Sequence, residues 1–372
     1  MSTSRKLNVA IIGCGWVSDW HLRDGLAHLP EQFAVLACCD PDPGKRQDFA
    51  RRYGVPRAVG EIGEVLAIED VDVVTICTPP SSHYGLIVQA LAAGKSVVCE
   101  KPLTSSLELV DRIIEAQARS PGRVMPIFQN RFGSGVARAR HIIQSGLAGR
   151  PYLATVETAK LRGSDYYAVP WRGKFATELG GVLLTQAIHN HDLLVWLLGP
   201  VAAVSAYTTT LVNPVETEDC AAASLVMRNG SLATLAATQG SVRELARFRL
   251  CFEHVVIERT AYDASSARPG DEPWHFIPAN DRIGREIDAL VAGMPATSSG
   301  FVRQYELFHE ALINGTDLPV TLEDARRSLE LITALYDSAE HGRPVTLPID
   351  GAHPRYGGWL PSSAAADHRI CR

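Results

Sequence analysis

The sequence predicts a two-domain α/β protein. A doubly wound parallel sheet comes first, followed by an α/β domain on a large, open-faced, mainly antiparallel sheet. Three observations carry that reading. Apolar runs of strand length alternate with helical patterns from Leu7 to Phe128, the order that implies βαβ units. The first run empties into the glycine turn Gly13-Cys14-Gly15. After Phe128 the alternation gives way to successive strand-like runs joined by short turns, as in an antiparallel or mixed sheet.

A chain of 372 residues is too long for one typical core and suits two. The expected division is a dinucleotide-binding domain over 1–128, a substrate and oligomerisation domain over 129–360, and a tail over 361–372. A net charge of -5 gives no electrostatic reason to expect nucleic acid or an acidic membrane as partner. The longest apolar runs are strand-length and polar-flanked, so no membrane span is expected. Leu7–Ile12 is too short for a signal peptide core. The eight cysteines include several in apparent buried strands (Cys38, Cys39, Cys77, Cys99) and form no CxxC pair. They read as free core thiols in a reducing, cytoplasmic compartment.

In chain order, Leu7–Ile12 is a strand and Gly13-Cys14-Gly15-Trp16-Val17-Ser18 the turn after it. The helical pattern Val17, Trp20, Leu22, Leu26, Leu29 follows. Strand, glycine turn and helix form the context in which GxGxxG signals a Rossmann dinucleotide site. Gly13 permits the tight turn, Gly15 leaves room for a pyrophosphate on the helix N-terminus, and Ser18 replaces the third glycine. The strand Phe33–Cys39 ends at Asp40, where a ribose-binding carboxylate belongs. Such a carboxylate favours NAD, while Lys45 and Arg46 close by leave NADP open; a helix cap near Pro43 is the alternative role for Asp40. Helix 45–53, strand 71–77, helix 83–93 stopped by Gly94, strand 96–99, helix 107–118 and strand 124–128 complete the alternation. Ligands sit outside the carboxyl ends of such strands, and Asp40, Thr78, Glu100 and Lys101 all lie there. Lys101-Pro102 is a candidate cis peptide.

In the second half a helix over 136–145 ends at Gly146. Strands are expected over 151–161, 201–207, 220–227, 231–238, 248–252 and 255–258, and helices over 301–313 and 322–339. An open sheet of this size leaves a face that a second subunit usually covers, so a homo-oligomer is expected. In the stretch Glu178 to Asp192, helical spacing puts Thr185, His189 and Asp192 on one face and Leu184, Ile188 and Val195 on another. A polar stripe on an apolar helix needs partners or a cleft. His189 is either a general base or a core histidine tied to Asp192; His191 points elsewhere and reads as structural. No third ligand at recognisable spacing accompanies these residues, so no metal is expected.

Three stretches together resemble the Gfo/Idh/MocA oxidoreductases: GCGWVS at Gly13, TPPSSHYGLIVQALAAGKSVVCEKP from Thr78 to Pro102, and WRGKFATELGGVLLTQAIHNHDLL from Trp171 to Leu194. GRPVTLP near the C-terminus fits as well. The resemblance implies a dimer or tetramer through the open sheet and a sugar-like alcohol as substrate. Beside Gly13, Gly15, Trp16, Val17 and Asp40, it implies cofactor contacts from Thr78, Pro80, His83, Glu100, Lys101, Trp171 and Arg172, and catalysis by Lys101 and His189. Many members carry an aspartate where this chain has Thr185, so the lysine–histidine pair is expected to suffice, and simple inositol specificity becomes less expected.

The resulting expectation is NAD-dependent oxidation of a secondary hydroxyl on a sugar, anhydrosugar, glycoside or derivative. His189 serves as base near its ordinary pKa of ~6.5, and Lys101 donates to the same oxygen. Asp192 orients the imidazole or anchors the helix; Tyr166, Tyr167, Arg131, Thr185 and Asp192 are candidate sugar contacts beside Lys101 and His189. Specificity is expected in the loops 162–174 and 262–274. The rival readings are an oxidoreductase that retains its cofactor, a glycosidase using transient oxidation, and a non-enzymatic NAD(P) sensor.

Overall fold

The computed structural model describes residues 5–262 and 268–360; the expected tail 361–372 and the centre of the 262–274 loop lie outside them. Two compact units emerge. One runs through Gln129 and also takes Gly300–Arg326; the other comprises Asn130–Ser299 and the chain from Arg327 onward.

The first unit holds a six-stranded sheet of β1 (Leu7–Ile12), β2 (Phe33–Cys39), β3 (Arg57–Val59), β4 (Val73–Ile76), β5 (Ser96–Cys99) and β6 (Val124–Pro126). All pairs are parallel in the order β3-β2-β1-β4-β5-β6. The order reverses between β1 and β4, the switch point where dinucleotides bind. Helices Trp16–Arg23, Pro43–Tyr53, Ile62–Leu66, His83–Ala92 and Leu107–Ala118 make the crossovers. Val9, Ile11, Val73, Val74, Val97 and Val98 are fully buried, as parallel strands covered on both faces require. Asp42, not Asp40, caps the Pro43 helix, accepting from the Gly44 and Lys45 amides. β3 and the Ile62–Leu66 helix answer no expected element.

The helix Gly300–Asn314 corrects the expected domain division. It belongs to the first unit because Phe301, Tyr305 and Phe308, spaced along one face, are buried there. Tyr305 packs edge-on against Phe33, and Gln304 Nε2 donates to the Pro126 carbonyl at 2.9 Å.

The second unit is built on an eight-stranded sheet: β7 (Pro151–Leu161), β8 (Val201–Thr209), β9 (Cys220–Met227), β10 (Leu232–Thr238), β11 (Gly240–Phe252), β12 (Val255–Ala261), β13 (His275–Pro278) and β14 (Val345–Thr346). The order is β13-β12-β11-β7-β10-β9-β8-β14, with β7–β10 the parallel pair and the rest antiparallel. Ala154, Val156, Leu235, Phe248, Leu250 and Ile257 point into the core. On the other face the register lines up Ala203, Val226, Leu232, Leu153, Cys251, Val256 and Ile277 across seven strands. Leu153, Val226, Leu232 and Ile277 in that row are exposed. The helix Asp281–Ala292, capped by Asn280, was not expected. Among the described residues the cysteines are free, and no helix is long and apolar enough to cross a membrane.

Candidate active site

In the first unit the glycine turn has the shape a pyrophosphate needs. Gly13 sits at φ +91°, and a Cβ there would press on the Cys77 backbone and Thr78. A Cβ on Gly15 would meet only open space, and no side chain caps the Trp16–Arg23 helix that Gly15 opens. Trp16 is exposed and Val17 beside it partly buried. Ser18, in the third-glycine place, is buried and turned back onto the Gly15 carbonyl. These features fit an NAD pyrophosphate over the helix N-terminus.

Asp40 ends β2 with both carboxylate oxygens anchored: Oδ2 accepts from Cys14 N at 2.9 Å and Oδ1 from Asp42 N at 3.0 Å. The carboxylate therefore braces the glycine turn as well as facing it. Arg46, the NADP candidate, donates Nη1 to the Asp40 and Pro41 carbonyls, each at 3.1 Å.

Thr78 and Pro80 follow β4, and Glu100, Lys101 and Pro102 follow β5. Lys101-Pro102 is cis. His83 differs from its expected role. It is fully buried, and its ring nitrogens face the Pro102 carbonyl at 2.8 Å and the Thr78 carbonyl at 2.9 Å. Neutral imidazole carries one N–H, so it donates to one of these carbonyls and packs its other nitrogen against the second, and either way it spans the two loops rather than turning to a cofactor. Burial pulls its pKa down. Glu100 has a partner the sequence did not suggest: His21, fully buried, places Nε2 3.0 Å from Glu100 Oε1 and Nδ1 2.7 Å from the Tyr305 hydroxyl. Glu100 Oε2 accepts from Lys101 N at 3.1 Å.

In the second unit the expected single helix is broken. Val182–Thr185 and Ile188–Leu198 are separate, with Gln186 at φ -116° between them. Thr185 therefore shares no helical face with His189. Its hydroxyl donates to the Gly181 carbonyl at 2.8 Å and accepts from Gln239 Nε2 at 3.4 Å, which makes it part of the turn rather than a group awaiting a sugar. His189 lies in the first turn of the second helix and is partly exposed. Asn190 beside it donates to Thr158 Oγ1 at 2.6 Å.

Asp192 takes the anchoring role. Arg131 grips it twice, at 2.7 Å through Nε and 2.6 Å through Nη2, and Ser328 donates at 3.1 Å. Arg131 and Asp192 are both buried, which sets Arg131 inside the fold rather than among sugar contacts. His191 is buried, and burial pushes its pKa down to about 3; it is a neutral core histidine.

Trp171 and Arg172 lie in the loop before the helix Phe175–Glu178. The Arg172 guanidinium stacks 3.8 Å over the Tyr166 ring and 4.4 Å over Trp171, and donates to Glu178 at 3.2 Å. Tyr166 also accepts from Gln186 Nε2 at 3.2 Å, and burial, then the Glu178 charge, pushes its pKa up to about 12. Tyr167 donates to Gln239. Arg162 reaches Gln186 at 3.3 Å and Glu244 at 2.6 Å. The residue that reading the sequence overlooked is Glu218: it is buried and accepts from the Gly181 and Leu183 amides at 2.9 and 3.0 Å.

Comparison with known proteins agrees with this architecture. Residues 7–128 match the family model described as the oxidoreductase family with NAD-binding Rossmann fold, and residues 136–258 match the GFO/IDH/MocA C-terminal domain. The chain is 26% identical to scyllo-inositol 2-dehydrogenase (NAD(+)) of Bacillus subtilis over 355 residues, 94% of this chain and 98% of that protein. It is 28% identical to D-glucoside 3-dehydrogenase of Escherichia coli over 360 residues, 93% and 99% of the two chains. Among solved structures, the WlbA dehydrogenase of Bordetella pertussis in complex with NADH and UDP-GlcNAcA superposes with a TM-score of 0.82 at 27% identity, covering 93% of this chain and 100% of that one.

Proposed function

The chain belongs to the Gfo/Idh/MocA oxidoreductases, a family of NAD-binding sugar dehydrogenases, and from that premise we propose that it oxidises a secondary hydroxyl of a sugar, anhydrosugar, glycoside or sugar derivative to a ketone. The observation that supports this reading is that Lys101 follows β5 with its amide held by Glu100 Oε2 at 3.1 Å, and His189 lies in the first turn of a helix anchored by the buried Arg131–Asp192 pair.

NAD held at the glycine turn would supply the acceptor for the hydride that leaves the carbinol carbon. His189 takes the hydroxyl proton, and the Lys101 ammonium donates a hydrogen bond to the same oxygen as negative charge develops there. The lone pairs Asp40 keeps beyond its bonds to the Cys14 and Asp42 amides would accept from the adenosine ribose hydroxyls, which would favour NAD over NADP. Gly13, Gly15, Trp16 and Val17 would hold the pyrophosphate, Thr78, Pro80, Glu100, Trp171 and Arg172 would make the further cofactor contacts, and Tyr166 would meet the sugar. With Thr185 tied into its turn, no carboxylate stands four residues before His189, so lysine and histidine act as a pair.

The apolar row on the open sheet supports a homo-oligomer, since an exposed row across seven strands is an association surface. Leu153→Asp with Leu232→Asp should shift the mass in sedimentation equilibrium to that of a single chain; an unchanged mass refutes this face. The reaction is tested by a panel of inositols, free sugars, anhydrosugars, methyl glycosides and nucleotide sugars with NAD, followed at the absorbance of NADH. We expect NADH formation with at least one cyclic secondary alcohol. Absence of NADH across the panel refutes a dissociable-cofactor dehydrogenase.

A further inference from the structure

We infer that Glu218 is a positioning residue for His189, setting the start of the turn from which the His189 helix is launched. The inference rests on the reading of His189 as the base.

Glu218 holds three consecutive amides. Its carboxylate accepts from Gly181 N at 2.9 Å and Leu183 N at 3.0 Å, and its own carbonyl accepts from Val182 N at 2.9 Å. Those are donors that a helix start leaves without intrahelical partners. Tyr336 completes the grip, donating its hydroxyl to Glu218 Oε1 at 2.9 Å while accepting from Gly181 N at 3.3 Å. The fit is close enough to dictate the sequence of the turn. A Cβ on Gly181 would collide with the Glu218 carbonyl, and one on Gly180 with the Tyr336 hydroxyl. Gly180 and Gly181 are thus glycines because Glu218 and Tyr336 occupy the space a side chain would need.

The hold is passed on through backbone. Thr185 N bonds to Gly181 O and Ala187 N to Val182 O, each at 2.9 Å, and Asn190 N bonds to Ala187 O at 2.9 Å. Ala187 is the N-cap of the Ile188–Leu198 helix, two residues before His189. A shift of the Gly181–Leu183 amides therefore moves the imidazole, and misplacement of a catalytic group by ~1 Å can cost ~100-fold. Asp192 fixes the same helix one turn further along through Arg131 and Ser328. His189 sits between two buried carboxylates, each tying down one side of it.

The test uses full-length Glu218→Gln and Tyr336→Phe, with His189→Ala as reference. Glutamine keeps the shape but aims an N–H₂ at amide donors. Turnover of the fastest alcohol in the panel above, KM, NADH affinity by fluorescence titration, and hydrogen–deuterium exchange of residues 179–190 are measured together. We expect kcat to fall about tenfold or more in Glu218→Gln and two- to fivefold in Tyr336→Phe. NADH affinity should stay within twofold, and exchange should rise in 179–190. Unchanged kcat beside faster exchange overturns the inference, leaving Glu218 a structural residue only; so does NADH affinity falling in step with kcat. If Glu218→Gln does not fold, Tyr336→Phe decides by the same criteria. Wild-type turnover in His189→Ala overturns the reading of the base, and the inference with it, whatever Glu218 does.

Discussion

In the first unit the loops after β4 and β5 are held by a side chain that faces acceptors: His83 reaches the Thr78 and Pro102 carbonyls. In the second unit the corresponding turns are held by side chains that accept. Glu178 takes the Gly173 amide, Glu218 takes Gly181 and Leu183, and Asp219 takes Leu211, Val212 and Asn213. The difference follows from composition. Thr78-Pro79-Pro80 and Lys101-Pro102 are poor in N–H groups, because proline has none, and so present carbonyls that need a donor. The glycine turns at Gly173 and Gly180-Gly181 present amides that need acceptors. Proline-rich and glycine-rich loops can be equally rigid, but they call for opposite chemistry in the residue that fastens them.

The largest effect should come from breaking the Arg131–Asp192 pair. Both partners are buried, so Asp192→Ala takes the carboxylate away from a buried guanidinium and should cost ~3–5 kcal/mol in urea unfolding. A loss under ~1 kcal/mol would show that the pair is dispensable to the His189 helix. Next, His83→Ala removes the single N–H that a neutral ring gives one of the two carbonyls and should cost ~1–3 kcal/mol for the group left unpaired, with NADH affinity falling because the two loops separate. If stability falls while NADH affinity does not, His83 holds the fold but not the cofactor loops.

The pH dependence sharpens the contrast. Burial pushes the Glu218 carboxyl up to about 7, against the opposing hydrogen bonds from the Leu183 and Gly181 amides and the Tyr336 hydroxyl. A raised carboxylate contributes stability that is complete below its unfolded pKa and is lost as pH rises through about 7. Glu218→Gln cannot ionise, so its stability deficit against wild type should narrow from pH 5 to pH 8. The buried histidines have the other sign. With His191 at about 3, its stabilising contribution is present above ~6.5 and is lost as the medium turns acid. His191→Phe should therefore gain on wild type below pH 6.5, by at most ~1.4 kcal/mol per pH unit. The smallest effect is expected at the Pro43 helix, where Asp42→Ala removes a cap accepting from Gly44 and Lys45 and should cost ~1 kcal/mol.

Much of the fold could be read from the chain because its elements are punctuated. Pro151–Leu161, Cys220–Met227, Ser96–Cys99 and Leu107–Ala118 match the expected spans residue for residue, each a periodic run closed by turn residues. β3 is three residues with two exposed and carries no such signal. Asp281–Ala292 did carry one, in Asn280 and the buried Ile283 and Ile287, and was overlooked. The Gly300–Asn314 helix announced itself but not where it packs, since Tyr305 finds Phe33 and His21 across long sequence separation. The break at Gln186 was hidden because the apolar pattern runs through it. Site residues that act through their side chains were legible as types; Glu218, which holds backbone, and His21, which meets the Glu100 and Tyr305 side chains, were not, and His83 was legible as a site residue but not as a tie between two backbone carbonyls. A carboxylate or imidazole bonded to main chain leaves no mark in the sequence beyond the proline or glycine it answers.

The central claim, that Lys101 and His189 do the chemistry for one bound NAD, is tested most directly by single-turnover NADH formation in Lys101→Ala and His189→Ala at saturating NAD and alcohol. Both should bind NADH as wild type does and turn over ~100- to 10,000-fold more slowly. Either variant reacting within a few-fold of wild type, with NADH bound, would contradict it.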